Sequence, residues 1–82
     1  MNQEEFQEKI NTYMFYLPIM LYDKYLKDEN VLLDIYFARA YEIVIDYLNY
    51  DNTKKTLIES INDYIEARKD YILELLNECM EV

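Results

Sequence analysis

TKKTLIESINDYIEARKDYILELLNECM, residues 53–80, decides the reading of this chain. Ile58, Ile61, Ile65, Arg68, Ile72, Leu75 and Cys79 recur at spacings of three and four, as one face of an α-helix requires. No Gly or Pro interrupts them, so the spacing predicts one continuous helix of about 42 Å. It starts at Thr53 or at Thr56, where Thr56-Leu57-Ile58-Glu59 has the form of a capping box. A second series, Glu59, Asp63, Glu66, Asp70, Glu74, Glu78 and Glu81, repeats on the same period. At about 100° per residue it occupies an arc of about 120°, roughly opposite the apolar seam.

Upstream of this stretch, residues 49–53 read as a turn, because Asn and Asp close their own backbone. Before it the pattern predicts a helix over residues 31–49 with Leu32, Leu33, Tyr36, Ala40, Ile43, Val44, Tyr47 and Leu48 toward a core. Asp28 or Asn30 is placed to cap it. Ile35 and Ile45 fall among its acids, leaving apolar groups on a second side. Residues 3–16 form the first helix, with Phe6, Ile10, Tyr13 and Met14 inward and Glu4 and Glu5 at the positive end of the dipole. Pro18 lacks an amide donor and restricts Leu17, so a restart is expected there, followed by a short segment carrying Met20, Leu21, Tyr25 and Leu26.

These elements make an all-α fold, a small bundle of three to four helices with a long C-terminal helix, in a single domain over residues 1–82. Eighty-two residues lie near the lower limit for a core without staples. A hydrophobic content of 52% supplies that core, and the absence of Gly with a single Pro favours helices. The expected 42 Å exceeds the roughly 29 Å of residues 31–49, so the seam overhangs its neighbours and calls for a partner.

Seventeen acids against eight bases give a formal net charge of -9, which opposes binding to phosphate backbones or anionic lipid. Direct nucleic-acid binding and membrane association are not expected; a basic or neutral protein partner is. No apolar run is long enough to span a bilayer and no signal peptide is recognisable, so the chain is expected to be soluble and not secreted. Cys79, the single cysteine, lies on the seam and reads as a small buried hydrophobe.

Catalytic chemistry has little to work with. There is no His to activate a nucleophile, no Gly for a phosphate loop, and Ser60 is the only serine. Carboxylate pairs such as Glu59 and Asp63 lie on an exposed face without a cleft. No catalytic, cofactor-binding or metal-binding residue is expected, and the chain is not expected to be an enzyme. Ten tyrosines are conspicuous; Tyr36, Tyr47, Tyr64 and Tyr71 lie at or beside apolar faces, where they pack a boundary or anchor a partner. Arg68 interrupts the seam, either as a snorkelling side chain or as a register-fixing ion pair within or between subunits.

Successive acids of the stripe repel at i,i+4, at a combined cost of roughly 1–2 kcal/mol at low salt. Three descriptions fit it: a solvated face, a row of carboxylates imitating phosphates, and the wall of a channel through which DNA slides.

The run Asp28-Glu29-Asn30-Val31-Leu32-Leu33, with Tyr36, Ala40, Tyr41, Ile45 and Tyr47-Leu48-Asn49, resembles the helical core of small phage head-tail connector (adaptor) proteins. Tyr64-Ile65-Glu66-Ala67-Arg68 resembles an aromatic-x-x-x-Arg pattern in that family's next helix. Together these cover residues 28–68. The resemblance implies a non-enzymatic virion subunit that assembles as a homo-oligomeric ring beneath a portal, contacting portal and tail proteins around the DNA exit channel. The chain is short for the family, and its apolar pattern continues past Arg68, where the family's helix would end. The interface expected from the last helix comprises Tyr64, Arg68, Tyr71, Ile72, Leu75 and Leu76. Virion or host cytoplasm is the expected location. The alternative is an acidic DNA mimic that blocks a host nuclease or defence complex; a plain oligomerisation module is a third possibility.

Overall fold

The computed structural model describes residues 2–50 and 56–81, and among them the chain is helical without strands. Helix α1, Gln3–Leu21, is capped by Asn2, whose side chain accepts the Glu5 amide at 2.8 Å. Pro18 does not restart the chain; it lies inside α1, which runs on into a π-helical turn, Tyr22–Leu26. An interior Pro costs about 3 kcal/mol. Continuing the helix buries Leu17, Leu21 and Leu26, each stabilising by about 1.5–3 kcal/mol, so burial prevails. The Pro18 carbonyl accepts both the Tyr22 amide and the Tyr36 hydroxyl.

Helix α2, Leu33–Leu48, starts two residues later than its pattern suggested and carries no side-chain cap, so neither Asp28 nor Asn30 caps it. The reason lies at the other end of the chain. Residues 30–32 are drawn into an antiparallel bridge, Val31 with Met80, in which the Leu32 amide donates to Cys79 at 2.8 Å and the Glu81 amide donates to Asn30 at 2.9 Å. Leu32 and Leu33, expected in the core, are consequently exposed, while Tyr36, Ala40, Ile43, Val44 and Tyr47 are buried as their period requires.

The long C-terminal helix is not formed. Helix α3, Leu57–Ala67, ends at Arg68, and helix α4, Lys69–Asn77, begins after it. Arg68 has φ −111° and ψ 23°, outside the helical well. Its amide still donates to Tyr64, and its carbonyl accepts the Ile72 amide, so the break is confined to one residue. Neither Gly nor Pro causes it; the tertiary pairing of Arg68 described below holds it. Past the break the chain stays alongside α2, Glu78 meeting Arg39 and Met80 meeting Val31, so this part of the seam is covered within the chain. Thr56 does cap α3, its Oγ1 accepting the Glu59 amide at 3.3 Å. The alternative start at Thr53 lies outside the described residues.

The helices form an up-down-up arrangement in which α3 and α4 together make the third layer. Helix α2 runs antiparallel to α1, since Tyr13 meets Tyr47 and Tyr36 meets Pro18. It is also antiparallel to the α3–α4 layer, since Tyr64 meets Asp46, Arg39 meets Glu78 and Val31 meets Met80. One core joins Ile10, Leu17 and Leu21 of α1, Ile43 and Val44 of α2, Ile61, Tyr64 and Ile65 of α3, and Ile72 and Leu76 of α4 with Cys79. Among the described residues no helix is long and apolar enough to cross a membrane.

Candidate interaction surfaces

The expected seam is largely the chain's own core. Ile61, Ile65, Ile72 and Cys79 are buried, whereas Ile58 is exposed. Of the six residues expected at a partner interface, Tyr64, Ile72 and Leu76 are at most 1% exposed, so their side chains are taken up within the chain. Tyr71 and Leu75 are half-buried.

Arg68 is paired within the chain. Its Nε and Nη2 lie 2.9 and 3.2 Å from the two oxygens of Asp46 on α2, a bidentate arrangement, and its guanidinium stands 4.5 Å from the centre of the Tyr71 ring. Asp46 also accepts the Tyr64 hydroxyl at 2.8 Å. One carboxylate thus joins the end of α2 to α3 and to the break residue itself. We expect Arg68→Ala to lower the unfolding midpoint in the native background and to have almost no further effect once Asp46 is Asn; equal losses in both backgrounds would show that the pair does not hold the break.

Tyrosines tie the layers together. Ring centroids are 4.8 Å apart for Tyr13 and Tyr47, 5.2 Å for Tyr47 and Tyr64 and 5.6 Å for Tyr50 and Tyr64. Burial raises the phenol pKa of Tyr36 and Tyr64 far above the ordinary value, the Asp46 carboxylate adding to it for Tyr64, and pushes Tyr47 up to about 12. Folding therefore retains protons that the unfolded chain releases above about pH 10. This contribution is complete below that pH and is lost as pH rises through the folded-state values. The unfolding free energy from urea titrations should fall from about pH 10 upward, by as much as about 1.4 kcal/mol per pH unit for each buried phenol involved, with the phenolate absorbance of Tyr36, Tyr47 and Tyr64 appearing only as the chain unfolds. A free energy that stays level to about pH 12 would contradict this assignment.

The acidic stripe is divided by the same break. Glu59, Asp63 and Glu66 belong to α3, Asp70 and Glu74 to α4, and Glu78 and Glu81 follow it; all seven are exposed. Lys24 lies 3.6 Å from Glu66, and Arg39, which also pairs with Glu42, lies 3.3 Å from Glu78. The row is thus neither a single straight ridge nor uniformly uncompensated. Among the described residues no group of three or more acidic, Cys or His side chains is placed to hold a metal ion.

A different surface carries exposed apolar groups. On α1 and the π-helical turn that continues it, Phe15, Ile19 and Tyr22 recur at i, i+4 and i+7; on α2, Leu33, Phe37 and Tyr41 recur at i, i+4 and i+8. Phe15 is 65%, Ile19 60%, Leu33 57% and Phe37 53% exposed. Pro18, Ile19, Tyr22, Asp23, Leu33, Tyr36 and Phe37 line a groove of about 340 Å³ between the two helices. Its floor is fixed, because the Tyr36 hydroxyl donates to the Pro18 carbonyl. The sequence pattern does not single out these residues, because Leu33 shares the core period of α2 and Phe15, Ile19 and Phe37 fall on no predicted apolar face. The second i, i+4 series on each helix was the available signal.

Comparison of the chain with protein-family models, with curated proteins and with solved structures returned no match.

Proposed function

We propose that this chain is a non-enzymatic assembly subunit, a phage head-tail connector that joins a portal to the tail and resides in the virion. The observation that carries the reading is a closed core beside an open apolar face. An 82-residue chain that buries Leu17, Leu21, Ile43, Tyr64 and Ile72 almost completely, yet leaves Phe15, Ile19, Leu33 and Phe37 in solvent, is shaped for association. Two further points support the connector form. The sequence resemblance spans residues 28–68, and the helix ends at Arg68, where the connector pattern would end it. The acids of α3 and α4 suit a wall that DNA passes without sticking.

A DNA mimic is favoured less. It needs a continuous row of unneutralised carboxylates, whereas Arg68 divides the row and Lys24 and Arg39 offset Glu66 and Glu78. Native mass measurement with and without purified portal tests the proposal. A ring, or incorporation of many copies onto the portal, is expected. A monomer or dimer that ignores the portal but binds a basic protein with steep salt dependence would replace this reading with the mimic.

A further inference from the structure

We infer that the groove between the end of α1 and the start of α2 is a docking site for an amphipathic helix of another protein, one whose apolar ridge is flanked by Lys or Arg. This goes beyond the connector proposal, since it names a surface and the chemistry of its ligand whatever assembly supplies that helix. Shape argues for a helix. Two antiparallel helices expose parallel apolar walls, Ile19 and Tyr22 on one and Leu33 and Phe37 on the other, and a third helix laid between them inserts side chains at its own i, i+3, i+4 and i+7 positions. The floor needs no rearrangement, because Tyr36 is already tied to Pro18.

Charge argues for the flanks. Asp23 is the one charged residue lining the groove; Asp34 lies outside it, lining the adjoining surface with Val31, Leu32 and Ile35, which shares Leu33 with the groove. The two bases nearest these walls in sequence are engaged elsewhere, Lys24 by Glu66 and Arg39 by Glu42 and Glu78, and Lys27 follows Asp23 one turn beyond the groove. A ligand with flanking bases meets Asp23 and Asp34 favourably, in a chain of net charge -9. A second copy meeting this face by two-fold symmetry would bring both sets of these acids into one apolar contact between two chains of that charge. The self-contact is therefore the weaker occupant.

The probes are two synthetic helical peptides with the same Leu ridge, one flanked by Lys and the other by Glu, titrated against the full chain by fluorescence anisotropy. The Lys-flanked peptide should bind at least about tenfold more tightly at low salt, with the difference shrinking as salt is added. Ile19→Asp combined with Phe37→Asp should weaken it by at least about tenfold while the far-ultraviolet spectrum stays helical. Leu33→Asp, on the same wall as Phe37, provides a second variant. Asp70→Lys with Glu74→Lys, away from the groove, should keep binding within about threefold. Equal affinity for the two peptides overturns the inference, as does binding that survives the groove variants and fails in the α4 variant. It also falls if the free protein is a dimer that the Ile19→Asp, Phe37→Asp variant dissociates, since a second copy would then cover this face. The peptide result is independent of whether the chain joins a portal, so the two proposals can fail separately.

Discussion

Replacing Tyr64 by Ala is expected to cost about 3–5 kcal/mol, enough to leave much of the isolated chain unfolded at 37 °C. Tyr64 is fully buried, its ring meets those of Tyr47 and Tyr50, and its hydroxyl donates to Asp46. Truncation leaves a cavity between α2 and α3 and removes one hydrogen bond from the carboxylate that pairs with Arg68. Tyr64→Phe separates these effects: the ring stays, and the loss should be about 1–1.5 kcal/mol. Urea titration of both variants is the check. A loss below about 1 kcal/mol for Tyr64→Ala would mean that the α2–α3 contact is not part of the cooperative core.

The second large effect contrasts two substitutions of the same kind. Leu76→Asp places a carboxylate at a position only 1% exposed and should destabilise the chain by more than about 4 kcal/mol, leaving no cooperative melt. Phe37→Asp changes a side chain that is half in water, and stability should stay within about 0.5 kcal/mol of the native chain. Association should respond in the opposite sense, being lost for Phe37→Asp in a protein that is still folded. If Leu76→Asp folds normally and loses only its partner, the last helix belongs to an interface and the assignment of its apolar side to the core is wrong.

Much of the fold is readable in the sequence. The helical class, the end of α2 at Asn49, the Thr56 cap and the inward positions of Tyr36, Ile43, Ile61 and Ile72 all follow from a 3.6-residue period and local capping chemistry. The break at Arg68 does not, because its cause is non-local: the residues on either side continue an unbroken apolar period, and the partner that holds Arg68 is twenty-two positions away. Pro18 misleads for a related reason. A local rule predicts a restart, but burial of Leu17 and Leu21 on either side overrides it. Leu33 shows the third kind of failure, since its period matches the core while the bridge to Met80 fixes where α2 begins and leaves Leu33 outside.

The interaction surface was least legible. Tyr64, Ile72 and Leu76 are open to a partner only on a rod that overhangs its neighbours; in the folded chain they are buried and serve the core. Among the described residues most of the exposed large apolar groups lie on α1 and α2, with Ile58 a separate one on α3.

Hydroxyl-radical footprinting of the chain, free and mixed with the proposed portal partner, tests most directly the claim that recognition belongs to the α1–α2 face while the apolar side of α3 and α4 is core. Phe15, Ile19, Tyr22, Leu33 and Phe37 are expected to lose reactivity on assembly, with Tyr64, Ile72 and Leu76 unreactive in both states. If the α1 and α2 side chains stay reactive while Tyr71 and Leu75 become protected, the account is contradicted and the contact lies on the last helix.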